Sequence, residues 1–534
     1  MKTLKDHEIA KLIVLVSILF GGWVRFLPMQ LAGFPINDGG MFYSMIEDLY
    51  TNHFLLPKFT SYNLLDIPFA YPPLGFYIGA LLKALGVNTT QIIMFLPPAI
   101  STLAILAFCN LAHQIFKGSW SHTALATLAF ALIPRSYSWF VMGGGLTRSL
   151  GQLFLLLFLA SILKMYRKQN HQTVLASGIL GGFAILSHPE ISIHALTAAA
   201  VFWFFRSKKR EGFLASLLVA LIAILVSSPW WITILQHHGL SPFLNALHTG
   251  QHTNFATNLG NLMFFKFAEE PLASIVTTLG ITGMLYQLAQ KNFFLSFWLV
   301  IHFLTQPRTV NSIAIYPLTL LFAIALVEIL FPAINRVSSI KEQNLDKSAL
   351  LSKKNLGVIV FVGFYLSLGA FIYSLELGSN HLPQPEKETM QWIKEHTLPQ
   401  SRFIVLSLSS EPMLLNTAEW FPALTGRRSQ LTIQGREWIQ GEKFDGLWQS
   451  YADWANCLDQ NIECIENLSQ KHNIDFDYIY ISKYLGKNPG STTWENIRLA
   501  MVEELKESKK YTLILENSGA ILFAREQSNY TSSK

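Results

Sequence analysis

Long apolar stretches separated by short polar segments run through the first 380 residues of the chain. Their lengths approach 20 residues, the length at which an α-helix crosses about 30 Å of hydrocarbon. A shorter apolar segment at 72–86 opens with two prolines and predicts an interfacial helix. The pattern predicts eleven membrane spans, at 9–27, 91–116, 122–142, 149–166, 173–187, 190–206, 213–236, 272–289, 293–306, 310–331 and 355–377.

The pattern changes near residue 380, where polar and charged residues become frequent. Three segments, "RFIVLSLSS", "DYIYISKYL" and "YTLILENSGAILFAR", have the composition of strands. Two others, "EKETMQWIKEHT" and "TWENIRLAMVEELKESKK", have the periodicity of amphipathic helices. We therefore expect a polytopic α-helical membrane protein with a transmembrane domain at 1–378 and a soluble α/β domain at 379–534.

Composition and charge agree with this division and indicate how the chain is oriented in the membrane. Hydrophobic residues make up 51% of the chain and charged residues only 14%, too few for a soluble protein of this length. Basic residues cluster before the first span, in "YRKQNH", in "RSKKR" and at 335–354, all on one side of the predicted membrane. The positive-inside rule makes that side cytoplasmic. No basic patch interleaved with aromatic residues lies outside the membrane loops, so nucleic acid is not an expected partner.

The same rule places the N-terminus in the cytoplasm and the C-terminal domain outside the cytoplasmic membrane. The outer loops are then 28–90, called the first outer loop here, 143–148, 188–189, 237–271 and 307–309. In an extracytoplasmic domain, Cys457 and Cys464 could form a disulfide, although the spacing alone leaves the pairing open.

Three charged residues in the outer loops are the main functional candidates. Asp38 lies in "GFPINDGGMFYSMIEDL", Arg148 in "MGGGLTRSLG" and Arg308 in "TQPRTV". Ionisable groups near the membrane are costly and usually face a polar cavity, which makes them functional candidates by default. Each has a simpler interpretation. Asp38 could cap the helix that follows it, and either arginine could extend its head towards lipid phosphates.

Five further residues are candidates for substrate binding. Glu47, Lys58 and Tyr71 belong to the first outer loop, and His188 and Glu190 belong to "LSHPE" at the membrane edge. The last two could instead form only local hydrogen bonds beside Pro189. The sequence has no Ser-His-Asp order, P-loop or GxGxxG motif.

The order of these features resembles the GT-C membrane glycosyltransferases. "YPPLGFYIGALLKALG" is similar to a segment of protein O-mannosyltransferases and aminoarabinose transferases. "TRSLGQLF" is similar to a stretch of the oligosaccharyltransferase catalytic subunit, and "RTVNSIAIYPLTLLFAIAL" resembles a late span of these enzymes. "NTAEWFPALTGRRSQLTIQGREW" at 416–438 resembles a stretch of uncharacterised bacterial and archaeal relatives.

The resemblance implies a sugar donor linked to polyprenyl phosphate and an acceptor hydroxyl or amine on a glycan, lipid or protein. Transfer would invert the anomeric carbon at the outer face of the membrane. Asp38 falls at the family's catalytic acidic motif, and Arg148 and Arg308 could bind the donor phosphate because arginine matches phosphate geometry. A transporter or flippase of lipid-linked sugars, and a non-catalytic relative with a binding domain, remain alternatives.

Two departures from the family leave the cofactor open. The paired acidic residues of the mannosyltransferases are here Asn37 and Asp38, followed by glycines. The second acidic motif of the oligosaccharyltransferases is replaced by Leu153 and Phe154. These departures argue against the bound divalent metal of the family, for which His188 and Glu190 would have to serve as substitute ligands.

Overall fold

The computed structural model describes residues 5–168, 170–207, 209–248, 256, 260, 263, 268–338, 350, 352–407, 415–483 and 500–526. Most of these residues are helical. The helices of the N-terminal part are α1 (Asp6–Ala32), α2 (Gly40–Thr51), α3 (Leu74–Ala84), α4 (Thr89–Ile115), α5 (Trp120–Leu132), α6 (Ser138–Val141), α7 (Gly145–Lys168), α8 (His171–Ile185), α9 (Pro189–Arg206), α10 (Arg210–His238), α11 (Ser241–His248), α12 (Ile275–Ala289), α13 (Phe294–Thr305), α14 (Val310–Ile324), α15 (Phe331–Ser338) and α16 (Lys353–Gly378).

Six described helices are long and apolar enough to cross a membrane. They are α1, α4, α7, α10, the continuous helix Val310–Arg336, and α16. A π-helical turn at Ala325–Leu330 joins α14 to α15 within the fifth of these. The other predicted spans correspond to shorter helices, so the polytopic helical architecture is confirmed while the count of eleven stays a prediction.

The span predicted at 122–142 is interrupted. Helix α5 ends at Leu132, and a 3₁₀ turn at Pro134–Ser136 leads into the short helix α6. Proline disfavours helical backbone in the residue before it, and Ile133 is extended, with ψ of 125°. Helix α7 then begins at Gly145, so Arg148 lies in its first turn rather than in a preceding loop.

The first outer loop is largely ordered by its own secondary structure. Helix α2 follows α1 closely, and strands β1 (Phe59–Thr60) and β2 (Ile67–Pro68) pair antiparallel. The apolar segment predicted as an interfacial helix forms α3.

The C-terminal domain is a mixed sheet with helices around it. The strands lie in the order β4 (Arg428–Ser429), β3 (Arg402–Leu406), β5 (Tyr478–Ser482), β7 (Ala520–Arg525) and β6 (Tyr511–Glu516). Strand β3 is parallel to β4 and β5, and β7 is antiparallel to β5 and β6. Cys457 and Cys464 form a disulfide. Residues 493–499 of the second predicted helix lie outside the described residues. The elements are α17 (Gln384–His396), β3 (Arg402–Leu406), α18 (Asn416–Thr425), β4 (Arg428–Ser429), α19 (Glu437–Gln440), α20 (Phe444–Asn456), α21 (Ile462–His472), β5 (Tyr478–Ser482), α22 (Ala500–Glu507), β6 (Tyr511–Glu516) and β7 (Ala520–Arg525).

The first outer loop and the C-terminal domain share one hydrophobic core. Buried Phe34, Met45 and Tyr62 of the loop pack in the same cluster as Trp420 and Tyr480 of the domain. Burial of side chains this large contributes about 1.5–3 kcal/mol each. The domain is therefore held against the loop that carries Asp38. The exact division at 378 and 379 stays a prediction, although α16 ends at Gly378.

Candidate functional site

A tight turn presents Asp38 between α1 and α2. Ile36 forms a β-bridge with His381, and the Asn37 N–H donates to the carbonyl of Asn380 at 2.9 Å. Asn37 has φ of 56°, which asparagine tolerates, and Gly39 has φ of 128°, which favours glycine. This backbone turns sharply just before α2 begins, and it leaves the Asp38 side chain 21% exposed.

The Asp38 carboxylate lies against the glycine-rich segment before α7. Oδ1 accepts a hydrogen bond from the Gly144 N–H at 2.8 Å, and Oδ2 accepts one from Arg148 Nη2 at 3.2 Å. A Cβ atom added at Gly143 would overlap the Asp38 carbonyl oxygen, and one added at Gly144 would overlap its carboxylate. The glycines in "MGGGLTR" are therefore required for the close approach of these two segments.

Arg148 is fixed by a second contact as well. Its guanidinium lies 5.6 Å from the ring centroid of Trp139 in α6 and donates to that residue's carbonyl at 3.5 Å. The interruption after α5 thus positions Trp139 of α6 against the Arg148 guanidinium. The guanidinium therefore contacts both Trp139 and Asp38.

Glu419 of the C-terminal domain, rather than Asp38, caps α2. One carboxylate oxygen, Oε1, accepts hydrogen bonds from the N–H groups of Gly39 at 3.3 Å and Met41 at 3.1 Å. These amides are among those that a helix leaves unpaired at its N-terminus. Burial, followed by the negative charge of Asp38, raises the pKa of Glu419 to about 8. The helix-cap interpretation of Asp38 is therefore wrong.

Aromatic side chains form one wall beside Arg148. The Tyr71 ring makes edge contacts with Phe42, His188 and Trp438, at centroid distances of 5.0, 5.9 and 5.7 Å. Burial raises the pKa of Tyr71 to about 12, while the charge of Arg148 acts in the opposite direction. Tyr71 therefore stays a neutral hydroxyl at physiological pH.

His188 is buried at the start of α9. Its Nδ1 atom is buried without a hydrogen-bond partner among the described residues. Burial, and then the positive charges of Arg148 and Arg308, hold the pKa of His188 well below its usual value. The imidazole is therefore neutral at physiological pH, and its Nδ1 is a buried polar atom without a partner among the described residues.

Arg308 completes the basic side of the group through Glu190. Its Nε lies 3.3 Å from Oε1 of Glu190, and 47% of the Arg308 side chain is exposed. Glu437 of α19 interacts electrostatically with the same guanidinium. Burial raises the pKa of Glu437, and the positive charge of Arg308 opposes that rise. Glu190 also interacts electrostatically with Arg148 and Tyr71. The two arginines thus belong to one connected set of charges.

Two of the predicted candidates lie apart from this set. Glu47 pairs with Lys83 at 2.9 Å and joins α2 to α3. Lys58 lies over the ring of Phe59, with its ammonium 5.4 Å from the centroid. Among the contacts of the described residues, neither side chain is linked to Asp38. Their role in substrate binding stays a prediction.

The carboxylates of the site do not match the needs of a divalent cation. Asp38 is already paired with Arg148, and Glu190 with Arg308. Within the described ranges, no group of three or more His, Cys, Asp or Glu side chains is arranged to hold a metal ion. A cation normally requires several oxygen ligands at one point. The described residues around Asp38 and Glu190 therefore do not fit a resident metal.

Glu419 and Glu437 join the candidate site, although the charge pattern of the outer loops does not indicate them. Both belong to the C-terminal domain, where glutamate is common and carries no signal by itself. They lie in the stretch 416–438, whose resemblance to prokaryotic relatives is the sequence feature that points to them.

Comparison with known proteins agrees with this architecture. A family model described as a 6-pyruvoyl-tetrahydropterin synthase related domain, membrane protein, matches residues 70–372. No curated protein matches the chain.

Solved structures of GT-C membrane glycosyltransferases have a similar fold. The crystal structure of ArnT from Cupriavidus metallidurans bound to undecaprenyl phosphate is 12% identical, with a TM-score of 0.55 over 96% of this chain and 97% of ArnT. The apo structure of the same protein gives a TM-score of 0.54. The cryo-EM structure of the arabinofuranosyltransferase AftD from Mycobacteria is 14% identical, with a TM-score of 0.56 over 98% of this chain and 40% of AftD. The predicted GT-C resemblance is confirmed as a shared fold.

Proposed function

The chain belongs to the family of 6-pyruvoyl-tetrahydropterin synthase related membrane proteins, and we propose that it is a GT-C glycosyltransferase. In this proposal it transfers a sugar from a polyprenyl-phosphate donor to an acceptor hydroxyl or amine. The observation that carries the proposal is the group formed by Asp38, Arg148, Glu190 and Arg308 in a fold shared with such enzymes.

Asp38 is the general base in this mechanism. Its carboxylate accepts the proton of the acceptor group, whose oxygen or nitrogen attacks the anomeric carbon. The bond from that carbon to the phosphate oxygen breaks, and the electron pair leaves with polyprenyl phosphate. A single displacement of this kind inverts the anomeric carbon. A well-placed base contributes on the order of 10²–10⁴-fold to the rate.

The two arginines bind the donor phosphate, and Arg148, which contacts the base, also stabilises the phosphate as it leaves. They lie on separate elements, Arg148 in the first turn of α7 and Arg308 just before α14. Paired guanidinium groups suit phosphate because each can donate two parallel hydrogen bonds. The neutral imidazole of His188, which feels the charge of both arginines, lies where it can donate to or accept from the same ligand.

Donor binding and the base are linked through Arg148. In the structure this residue pairs with Asp38. A donor phosphate that binds the same guanidinium would compete for this contact and leave the Asp38 carboxylate free to accept the proton of the acceptor.

The C-terminal domain covers the acceptor side. It contributes Glu419 and Glu437 to the site and packs against the first outer loop. The disulfide between Cys457 and Cys464 supports an extracytoplasmic location, since disulfides persist in oxidising compartments. We therefore assign transfer to the outer face of the cytoplasmic membrane, with a cytoplasmic N-terminus.

The proposal is tested with the purified full-length protein in liposomes. A panel of undecaprenyl-phosphate-linked hexoses and pentoses is supplied with cell-envelope extract as the source of acceptor, and release of undecaprenyl phosphate is measured. We expect one donor to be consumed together with formation of a glycosylated product. Movement of the intact lipid across the bilayer without cleavage would instead identify a flippase. Neither cleavage nor movement with any donor would favour a non-catalytic binding protein.

A further inference from the structure

A polar cavity of about 230 Å³ lies between the first outer loop and the C-terminal domain. Its lining includes Leu65 from the loop, and Arg428, Gln430, Arg436, Gln440 and Asn473 from the domain. The share of one water molecule in liquid water is about 30 Å³, so the cavity has room for an oxyanion and part of the molecule that carries it.

The two arginines in this cavity have incomplete hydrogen bonding. The Nε atoms of Arg428 and Arg436 are buried, and neither has a hydrogen-bond partner among the described residues. Arg436 donates from Nη2 to the carbonyl of Gln430 at 2.7 Å. In the part of the chain that the structure describes, no carboxylate lies within ion-pair distance of either guanidinium. A buried polar group without a partner costs about 1–3 kcal/mol, and more when it is charged.

The nearby acidic residue is engaged elsewhere. Asp475 follows the cavity-lining segment in sequence, yet its carboxylate lies 2.7 Å from Arg402 and 3.8 Å from Arg525. Arg428 and Arg436 thus line one cavity and interact electrostatically, with no ion-pair partner for either among the described residues. Burial, followed by the charge of Arg428, lowers the pKa of Arg436 to about 10. Two cations held together in this way favour an anion between them.

The cavity is built rigidly and adjoins the proposed active site. Asn63 exchanges two hydrogen bonds with Ser429, at 2.9 and 2.6 Å, which fixes the loop to β4. Tyr62 interacts electrostatically with Arg436, and its hydroxyl donates to the Glu419 carbonyl at 2.8 Å. The next residue after Arg436 is Glu437, which belongs to the site around Arg308.

We propose that Arg428 and Arg436 bind an oxyanion, either phosphate or carboxylate, carried by the acceptor. That the oxyanion belongs to an acceptor molecule rests on the proposed transferase function. The anion site itself follows from the cavity alone. Binding there would anchor a negatively charged acceptor beside Tyr62, with its reactive group directed past Glu419 to Asp38. The enzyme would accordingly select anionic glycans over neutral ones.

The test is calorimetric titration of the full-length protein in detergent with inorganic phosphate and, separately, with glucuronate. The Arg308→Gln background is used throughout, so that anion binding at the donor site is reduced. The probe variant is Arg428→Gln. The matched control is Lys509→Gln, which removes one exposed positive charge just before β6, at the opposite edge of the sheet from β4. Thermal unfolding checks that each variant is folded.

We expect saturable binding of at least one anion, roughly 10- to 100-fold weaker in Arg428→Gln and unchanged in Lys509→Gln. Binding of phosphate alone would assign a phosphorylated acceptor, and binding of glucuronate alone a uronic acid. No saturable binding of either anion, or equal binding by Arg428→Gln and its parent, would overturn the anion site. Asp38→Asn should leave anion affinity unchanged, so a failed transferase assay and a failed anion site are separable.

Discussion

Arg148 Nη2 lies 3.2 Å from Asp38 Oδ2, although the two residues are 110 positions apart in sequence. The contact joins the turn before α2 to the first turn of α7, and it is made possible by glycines on both segments. In the proposed mechanism this pair is the central element, since it connects binding of the donor phosphate with the state of the base.

The close packing of Gly144 against Asp38 predicts a loss of activity without any change of charge. In Gly144→Ala the added Cβ overlaps the carboxylate, which must move. Misplacing a catalytic group by about 1 Å can cost about 10²-fold, so we expect transfer to fall by at least that factor. The control is Gly446→Ala in α20, where the added Cβ meets no atom within 4 Å. Equal activities of the two variants would contradict the geometry described for Asp38.

Arg308 should act mainly on donor binding. Its guanidinium is partly exposed and pairs with Glu190, so Arg308→Gln removes a charge without leaving a buried cavity. We expect KM for the lipid donor to rise about tenfold with a smaller change in kcat, since an interaction made equally in ground and transition states alters KM. Arg308→Lys keeps the charge and should give an intermediate value. A fall in kcat at unchanged KM would assign Arg308 to the chemical step instead.

Glu419 should set the upper limit of the pH range in which the protein is fully active as a transferase. Its pKa is raised to about 8, so it is neutral below that pH and ionised above it. Ionisation places a second negative charge beside Asp38, where it opposes binding of the donor phosphate. We expect kcat/KM of the wild type to decline above pH 8, and Glu419→Gln, which stays neutral, to extend the plateau. The check is a pH profile from 6 to 9.5, and an identical decline in both proteins would exclude Glu419 as its cause.

Glu386 should make folding stability depend on pH. It is fully buried and accepts hydrogen bonds from Thr417 and Ser482, both at 2.6 Å, and from Tyr480 at 3.2 Å. Burial raises its pKa from 4.5 to about 7 in the folded protein. The folded state thus binds a proton that the unfolded state has lost, and stability falls between pH 4.5 and 7 by at most roughly 3 kcal/mol, then levels off.

Removing the ionisable group at position 386 should flatten this dependence. Unfolding is followed at several pH values for the wild type and Glu386→Gln. Glu388→Gln, which changes an exposed carboxylate on the same helix, is the control. We expect the wild type and the control to lose stability over this interval, and Glu386→Gln to lose less. Parallel curves for all three proteins would mean that Glu386 does not titrate in this range.

Part of the candidate site could be predicted from the sequence because its charged residues lie next to long apolar segments. Asp38, Arg148 and Arg308 are conspicuous because few ionisable groups flank the membrane helices, and the energetic cost of a charge there makes them functional candidates. The apolar pattern agrees with six described helices that are long enough to cross a membrane, but it did not indicate the break at Pro134, which places Trp139 beside Arg148. That break depends on a local backbone effect that hydropathy averages out.

Residues that act through tertiary contacts were much harder to identify. Nothing local distinguishes Glu419 from other glutamates of a soluble domain, because its role arises from the docking of α18 on α2. Glu47, which is acidic and lies in the first outer loop, pairs with Lys83, and its role in substrate binding stays a prediction. A single sequence gives the spacing of charged residues along the chain, but not which helix face meets a partner from another segment.

The most direct test of the account is the comparison of wild type with Asp38→Asn in the donor-cleavage assay, with donor affinity measured in parallel. Asparagine keeps the size of the side chain and can still accept from Gly144, but it cannot take a proton from the acceptor. We predict that release of undecaprenyl phosphate falls by about 10²–10⁴-fold while the donor still binds. Full activity of Asp38→Asn at wild-type expression would contradict the assignment of Asp38 as the base.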